Sequence, residues 1–334
     1  MSTASTPIIG VVGAGVTGSA VAAHLAAAGM RVAVHDSLHG AAVAATRRIG
    51  GVVVSRLDDL AACDAVALCA PAPHAELVRS FVSEGAAVVS VGDDLDDLRH
   101  LLDLDDSCRR TGARLLVGAG MAPGLSGLLA RHLAGQLHTL DELHVATHGT
   151  GGPACARQHH DALGSTALGW HDGEWIEPLG GSGRDLVWFP EPVEAHDCYR
   201  AAVGDPLLLH RSFPSVSRIA ARVSATRRDR LTARLPMLTP PHADGDVGAV
   251  RVEARGAAAD GERVTVIAGA AGRAADLAAA VCASAVLRLL EVGLPAGVHT
   301  TSDESVVPLD LLHHATQRGV RVQEFTGVAR AASW

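Results

Sequence analysis

The amino-acid sequence predicts an α/β protein with a doubly wound parallel sheet at its N-terminal end. A second, α+β domain follows, built on a mixed, largely antiparallel sheet. Three observations carry this expectation. Short apolar runs alternate with alanine- and leucine-rich stretches up to about Gln136, as buried parallel strands alternate with covering helices. The first run ends in a glycine turn of fixed spacing, "GAGVTG". Beyond Gln136 the pattern changes to segments that alternate apolar with polar or charged residues, as antiparallel strands do. With 334 residues, 48% of them hydrophobic, the chain can bury a core in each of two domains.

Taken in order, Ile8 to Val12 is a β-branched run, Gly13 to Gly18 turns the chain, and Ser19 to Ala28 has the composition of a helix stopped by Gly29. A second strand, Arg31 to Asp36, ends in an acid roughly twenty residues after the turn, which completes a dinucleotide-binding fingerprint. Gly13 allows the tight turn, Gly15 lets backbone approach a pyrophosphate, and Gly18 lets helix and strand pack closely. With Ala14, Val16 and Thr17 these residues form a phosphate loop at a helix N-terminus, where free N–H groups and the helix dipole favour an anion. "GGVVVS", "DAVALCAPAP", "AAVVSVGDD" and "ARLLVGAG" supply strands three to six of this Rossmann domain. Ligands bind beyond the carboxyl ends of such strands, so Ala70, Pro71, His74, Gly92 to Asp94, and the Gly118 to Gly124 turn are expected to face one crevice with Gly13 to Gly18.

That later turn opens like the first: "VGAGMAPGLSGLLA" against "VGAGVTGSAVAAHLA". It lacks a following strand that ends in an acid, contains an extra residue, and places Pro123 where a phosphate cradle needs an N–H donor. It therefore reads as a floor beside the nicotinamide, through Gly120, Met121 and Pro123. A plain close-packed turn is the alternative.

In the second half, "LDELHVATHGTGG" predicts a strand and a Gly/Thr loop, "CARQHHDALGSTALGW" a helix-like run, and "HDGEW" a turn. "DLVWFPEP", "RIAARVSATRRDRLTARL", "GAVRVEARG" and "ERVTVIAGA" read as antiparallel strands. Arg273 to Gly293 reads as a long helix, and "LDLLHHATQRGVRVQEFTG" as helix then strand. The expected division is 1–136 for the dinucleotide-binding domain, 137–272 for a substrate and dimerisation domain, and 273–334 for C-terminal helices and a strand that can return to the first domain.

Composition narrows the chemistry. All 28 basic residues are arginine, and the chain has neither lysine nor asparagine. Schiff-base enzymes, a Walker A loop and the Tyr/Lys acid of short-chain dehydrogenases are thereby excluded. A net charge of −8 without a basic block argues against nucleic acid and for a small-molecule substrate. The uncharged run Pro7 to Met30 has no preceding Lys or Arg and is interrupted by glycines, so it reads as strand, turn and helix of a cytoplasmic protein with no membrane partner. Six cysteines without a C-x-x-C read as small buried thiols.

The motifs "GAGVTG" and "GAGMAPGLSGLLA", the domain order and "LPAGVHTTSD…LLHHATQRGV" resemble the saccharopine dehydrogenase-like oxidoreductases, the saccharopine reductase and lysine dehydrogenase type. The first 135 or so residues carry most of the likeness, and the middle looks like an actinobacterial branch. The match at Gly13, Gly15, Gly18, Ala70, Pro71, Gly120, Met121 and Pro123 is residue by residue. The resemblance implies reversible hydride transfer between NAD(P)H and a carbon–nitrogen bond, an amino acid or amine conjugate as substrate, and a homodimer. The fungal lysine-forming branch works with a lysine and a histidine; this chain has no lysine.

Asp36 suits a ribose 2′-hydroxyl and repels a 2′-phosphate, favouring NAD; Ser37, with Arg47 and Arg48 further on, leaves NADP open. For the chemical step the densest polar cluster of the second half is Cys155, Arg157, His159, His160 and Asp161. Arg157 is placed to clamp a carboxylate, and His159 or His160 to move the imine or amine proton. An ordinary solvated helix start is the competing reading. No metal is expected there, because adjacent histidines point to different sides of a helix and this cluster contains no H-x-x-x-H. The arginines of "ATRRDRL" read as a surface or rim, and "WFPEP" as a pocket wall or an edge strand. Two other functions stay open: a dehydrogenase acting on a hydroxyl or aldehyde, and a non-enzymatic dinucleotide-binding redox sensor.

Overall fold

The computed structural model describes residues 6–238 and 240–325. Two sheets organise the chain. The first half runs β1 (Ile8–Val12), α1 (Val16–Ala27), β2 (Arg31–His35), α2 (His39–Ile49), β3 (Val52–Val53), β4 (Ala65–Leu68), α3 (Ala75–Ser83), β5 (Ala87–Ser90), α4 (Leu95–Leu102), α5 (Asp105–Thr111), β6 (Arg114–Val117) and α6 (Leu125–Ala134). The second runs β7 (Thr139–His148), α7 (Pro153–Gly164), β8 (Gly169–His171), β9 (Glu174–Ile176), β10 (Asp185–Trp188), β11 (Ala195–Arg200), α8 (Asp205–Ser212), β12 (Arg218–Ser224), α9 (Arg227–Thr232), β13 (Val247–Ala257) and β14 (Arg263–Arg273). Then come α10 (Ala274–Val292), β15 (Gly297–Thr300), α11 (Pro308–Gln317) and β16 (Val322–Glu324).

The first sheet has seven strands in the order β15-β6-β5-β4-β1-β2-β3, and every pairing in it is parallel. Strand β4 is wholly buried, and β1 nearly so, which is why their sequences are unbroken apolar runs rather than alternations. The chain reverses its direction of travel across the sheet between β1 and β4, and such a switch point opens a crevice at the strands' carboxyl ends.

The second sheet follows β10-β11-β12-β7-β13-β14-β16, with β8 attached to β12 and to β9. It is mixed, as expected: β12 and β7 are parallel, whereas β13 pairs antiparallel with both β14 and β7. Strand β12 shows the predicted alternation, with Ile219, Ala221 and Val223 buried. One expectation fails here. "ATRRDRL" does not continue that strand, because Thr226 and Asp229 form a reciprocal capping box that starts α9. The segment "HDGEW" is the turn of the β8–β9 hairpin, and Trp188 stands exposed on the edge strand β10.

The C-terminal segment serves both sheets. Strand β15 extends the first sheet beside β6, and β16 extends the second beside β14. Residues Thr326 and Gly327, at the end of the last sequence motif, lie outside the described residues. Between these strands, "TTSD" ties the halves together. Ser212 Oγ donates to Asp303 Oδ1 at 2.7 Å, as does Thr300 Oγ1 at 2.9 Å, and Arg131 donates to the Ser302 carbonyl. No helix among the described residues is long and apolar enough to cross a membrane.

Candidate active site

The fingerprint loop is shaped by what its glycines leave out. Gly13 adopts φ +94°, and a Cβ there would lie 2.5 Å from the Ala70 nitrogen. A Cβ on Gly18 would lie 1.8 Å from the Gly13 carbonyl oxygen, so helix and turn touch only because both residues are glycine. Gly15 differs: a Cβ there would meet nothing within 4 Å. The space belongs to the crevice, at the start of α1, where no side chain caps the helix and no acid occupies its first turn.

Asp36 organises the loop. Its carboxylate accepts the Ala14 N–H at 2.6 Å and the Leu38 N–H at 2.7 Å. Ser37 is exposed beside it and lines the crevice. Arg47 and Arg48 sit exposed in the last turn of α2 and do not line it.

The crevice is a cavity of about 500 Å³ running from His35 and Asp36, over Gly13–Thr17, to Ala70–Ala72, Gly92, Asp93, Gly120 and Met121. Its other wall comes from the second half of the chain. The Gly149–Gly152 loop lies against α1: a Cβ on Gly151 would sit 3.2 Å from Thr17 Oγ1, and one on Gly152 would sit 3.4 Å from Val16 Cγ2. That loop delivers Pro153, Cys155 and His159 to the crevice.

Four expected cofactor contacts are not in the wall. His74 is fully buried: its ring nitrogens bond Ser90 Oγ and the Ala70 carbonyl, each at 2.8 Å, and its backbone N–H bonds Asp97. Burial lowers its pKa, so it serves as a neutral strut that positions the β4 exit. Pro123 is buried inside its turn, where the Gly120 N–H bonds its carbonyl at 2.9 Å. Ala14 and Gly18 shape the loop from behind.

The three expected catalytic residues separate into different surroundings. On α7, Pro153 occupies the first turn behind Gly152, and residues one turn apart share a face. His159 therefore stands with Cys155 on the crevice side, Cys155 Sγ lying 3.8 Å from His159 Nε2. His160, the next residue round, lies outside the crevice lining and bonds the Leu235 carbonyl at 2.8 Å, although both histidines border a neighbouring cavity. Arg157 lines a third space, a cavity of about 580 Å³ between the two halves that also takes in Arg99, Asp94, Asp161 and Glu177. This cavity shares Pro71, Ala72, Ala154 and Gln158 with the crevice.

A partner that sequence reasoning did not assign completes the group. Asp93, on the turn after β5, places Oδ2 3.3 Å from His159 Nε2. Its neighbour Asp94 caps α4 and bridges to Val203 of the second half, which holds this turn against the other wall. Burial alone would depress the pKa of His159. Cys155 and the hydrogen bond to Asp93 outweigh it and hold the imidazole well above the ordinary histidine value. Close enough for its charge to be felt, Asp205 is 2% exposed and accepts a hydrogen bond from Ser126. Burial pushes its carboxyl up to about 6, against that hydrogen bond and reinforced by Asp93. The site thus combines an uncapped helix start at one end with a half-buried acid, imidazole and thiol at the other.

No curated protein matches this sequence. A family model described as FAD dependent oxidoreductase matches residues 9–150, which span the parallel strands β1–β6 and the fingerprint. Among solved structures the chain is similar to apo histidine-tagged saccharopine dehydrogenase (L-Glu forming) from Saccharomyces cerevisiae, with a TM-score of 0.73 and 16% identity. That likeness covers 96% of this chain and 100% of the other. It is also similar to a probable dehydrogenase from Thermotoga maritima, with a TM-score of 0.50 and 13% identity over 95% of this chain and 98% of that one. At such identities the likeness is one of fold, and nothing in it supports an actinobacterial branch. The chain has the fold of dinucleotide-binding oxidoreductases.

Proposed function

We propose that this protein is an NAD(P)-dependent oxidoreductase that transfers a hydride to or from a carbon–nitrogen bond. The observation that carries this reading is the single crevice that joins the open start of α1 and Asp36 to the Asp93–Cys155–His159 group. A dinucleotide laid along it has its pyrophosphate on α1 and its reactive ring beside that group. The family model names FAD for the same strand–glycine–helix element, which holds a pyrophosphate in either case. Asp36 supports NAD over NADP, and so does the placement of Arg47 and Arg48 about 12 Å along α2 from its start, at 1.5 Å per residue.

The adjoining cavity supports the substrate class. Arg99 and Arg157 suit carboxylates, whereas Asp94, Asp161 and Glu177 suit an ammonium or iminium. An amino acid or amine conjugate carries both kinds of group. A hydroxyl or aldehyde substrate is the second reading, favoured by the proton-handling His159.

The test has two stages. Purified protein free of flavin absorbance should bind NADH by calorimetry more tightly than NADPH, and Asp36→Ala should reverse or erase that preference. Turnover is then sought on panels of secondary amines, imines and alcohols. A tightly held flavin sinks the nicotinamide assignment, and activity confined to alcohols sinks the carbon–nitrogen assignment. Arg157→Ala should raise KM at least about tenfold with a smaller change in kcat, as expected for lost ground-state binding.

A further inference from the structure

We infer that Asp93, Cys155 and His159 form a zinc site whose fourth position opens into the crevice. One ligand atom from each residue lies within 4.8 Å of the other two. Zinc holds sulfur at about 2.3 Å and nitrogen or oxygen at about 2.0–2.2 Å, so a tetrahedral centre sets its S···N edge near 3.6 Å and its N···O edge near 3.3 Å. The corresponding separations here are 3.8 Å from Cys155 Sγ to His159 Nε2 and 3.3 Å from His159 Nε2 to Asp93 Oδ2. The third edge, from Cys155 Sγ to the Asp93 carboxylate, lies within 4.8 Å, and side-chain rotation that shortens it brings all three donors onto one ion.

The donor set selects the metal. A thiolate with an imidazole and a carboxylate suits zinc, whereas magnesium and calcium want oxygen alone. The supports are ordered: Cys155 and His159 are one turn apart on α7, and Asp93 is fixed on the turn between β5 and α4. All three residues line the crevice. Three protein ligands with an open position facing a substrate space are the arrangement of catalytic rather than structural zinc. Asp93 follows β5 of the first sheet and α7 follows β7 of the second, so the ion also clamps the two walls together. That the open position receives the nitrogen or oxygen of the substrate rests on the oxidoreductase reading above.

The test uses the whole chain, stripped with a chelator and titrated with zinc against a chromophoric competitor. One equivalent is expected to bind and to raise the melting temperature in a concentration-dependent way. The cobalt(II) form is expected to show a thiolate-to-cobalt charge-transfer band that Cys155→Ser removes. His159→Ala and Asp93→Asn should each weaken zinc binding more than tenfold, with far-ultraviolet circular dichroism unchanged. Cys63→Ser, remote from the site, should bind as the parent does. Failure of the parent protein to bind an equivalent overturns the proposal, as does retention of full affinity by both Cys155→Ser and His159→Ala. These readings need no substrate. A chain that binds zinc through these residues but turns nothing over refutes the oxidoreductase reading alone.

Discussion

Gly15 is the fingerprint residue whose missing side chain leaves open space, and it separates binding from folding. Gly15→Val should fill the phosphate position without touching protein, so NADH affinity should fall at least about a hundredfold by calorimetry while the melting temperature stays put. Gly18→Ala should lower the melting temperature along with NADH affinity, because its Cβ would meet the Gly13 carbonyl at 1.8 Å and the turn itself must shift. Retained affinity in Gly15→Val would remove the pyrophosphate from this loop. Asp205 gives a pH prediction. Burial raises its carboxyl to about 6, above the usual aspartate value, so the folded state favours the protonated form. Its contribution is full below about pH 4 and is lost as pH rises through about 6, a penalty of roughly 3 kcal/mol at pH 8 for a two-unit shift. Asp205→Asn should therefore gain stability over the parent at pH 8 and not at pH 4 in urea melts; an equal effect at both would sever the link to ionisation.

At the scale of elements, the turn between β6 and α6 shows why two similar sequences do different work. Gly124 adopts φ +136°, and its Cβ would lie 2.0 Å from the Gly120 carbonyl, so the turn closes on itself. A Cβ on Gly120 would point at the Pro123 and Val91 carbonyls, 3.2 and 3.3 Å away, and not into the crevice. Gly120→Val should thus act by displacing the turn that carries Met121. It is expected to lower kcat by a factor on the order of a hundred, with less effect on NADH binding, because misplacing reacting groups by about an ångström costs that much. Equal losses in both would put the turn on the phosphates. Helix α7 teaches the opposite lesson about reading spacing. The pair Cys155 and His159 is C-x-x-x-H, one turn on one face, and is legible in the sequence. His160 is carried out of the crevice lining by the helical rotation of a single step and bonds the Leu235 carbonyl.

For the whole molecule, the C-terminal segment closes both sheets. Deleting residues from Gly297 onward removes β15 from beside β6 and β16 from beside β14, and takes Ser302 and Asp303 from Arg131 and Ser212. Two edges then stand open. The truncated chain should aggregate, read by light scattering and size exclusion; a soluble product with a single cooperative melt and intact NADH binding would show that the segment is dispensable.

What depends on neighbours along the chain can be read from the residues alone. The strand, glycine turn, helix and following acid lie within residues 8–36, so their spacing sets their geometry, and the apolar runs set a parallel sheet. Change of pattern after Gln136 marked the mixed second sheet. Tertiary structure decided what depends on partners far apart. Asp93 and His159 are 66 residues apart and meet only in the folded chain, where the Asp94–Val203 bridge is one of the contacts that join the two walls. His74, polar and next to a strand end, reads like a ligand contact, yet the folded chain surrounds it with Ser90, Ala70 and Asp97 and leaves nothing exposed. The allotment of β15 to one sheet and β16 to the other also lies beyond local pattern. Periodicity reports which face of a segment is buried, but not against which strand, since that choice is made by packing free energy summed over the whole molecule.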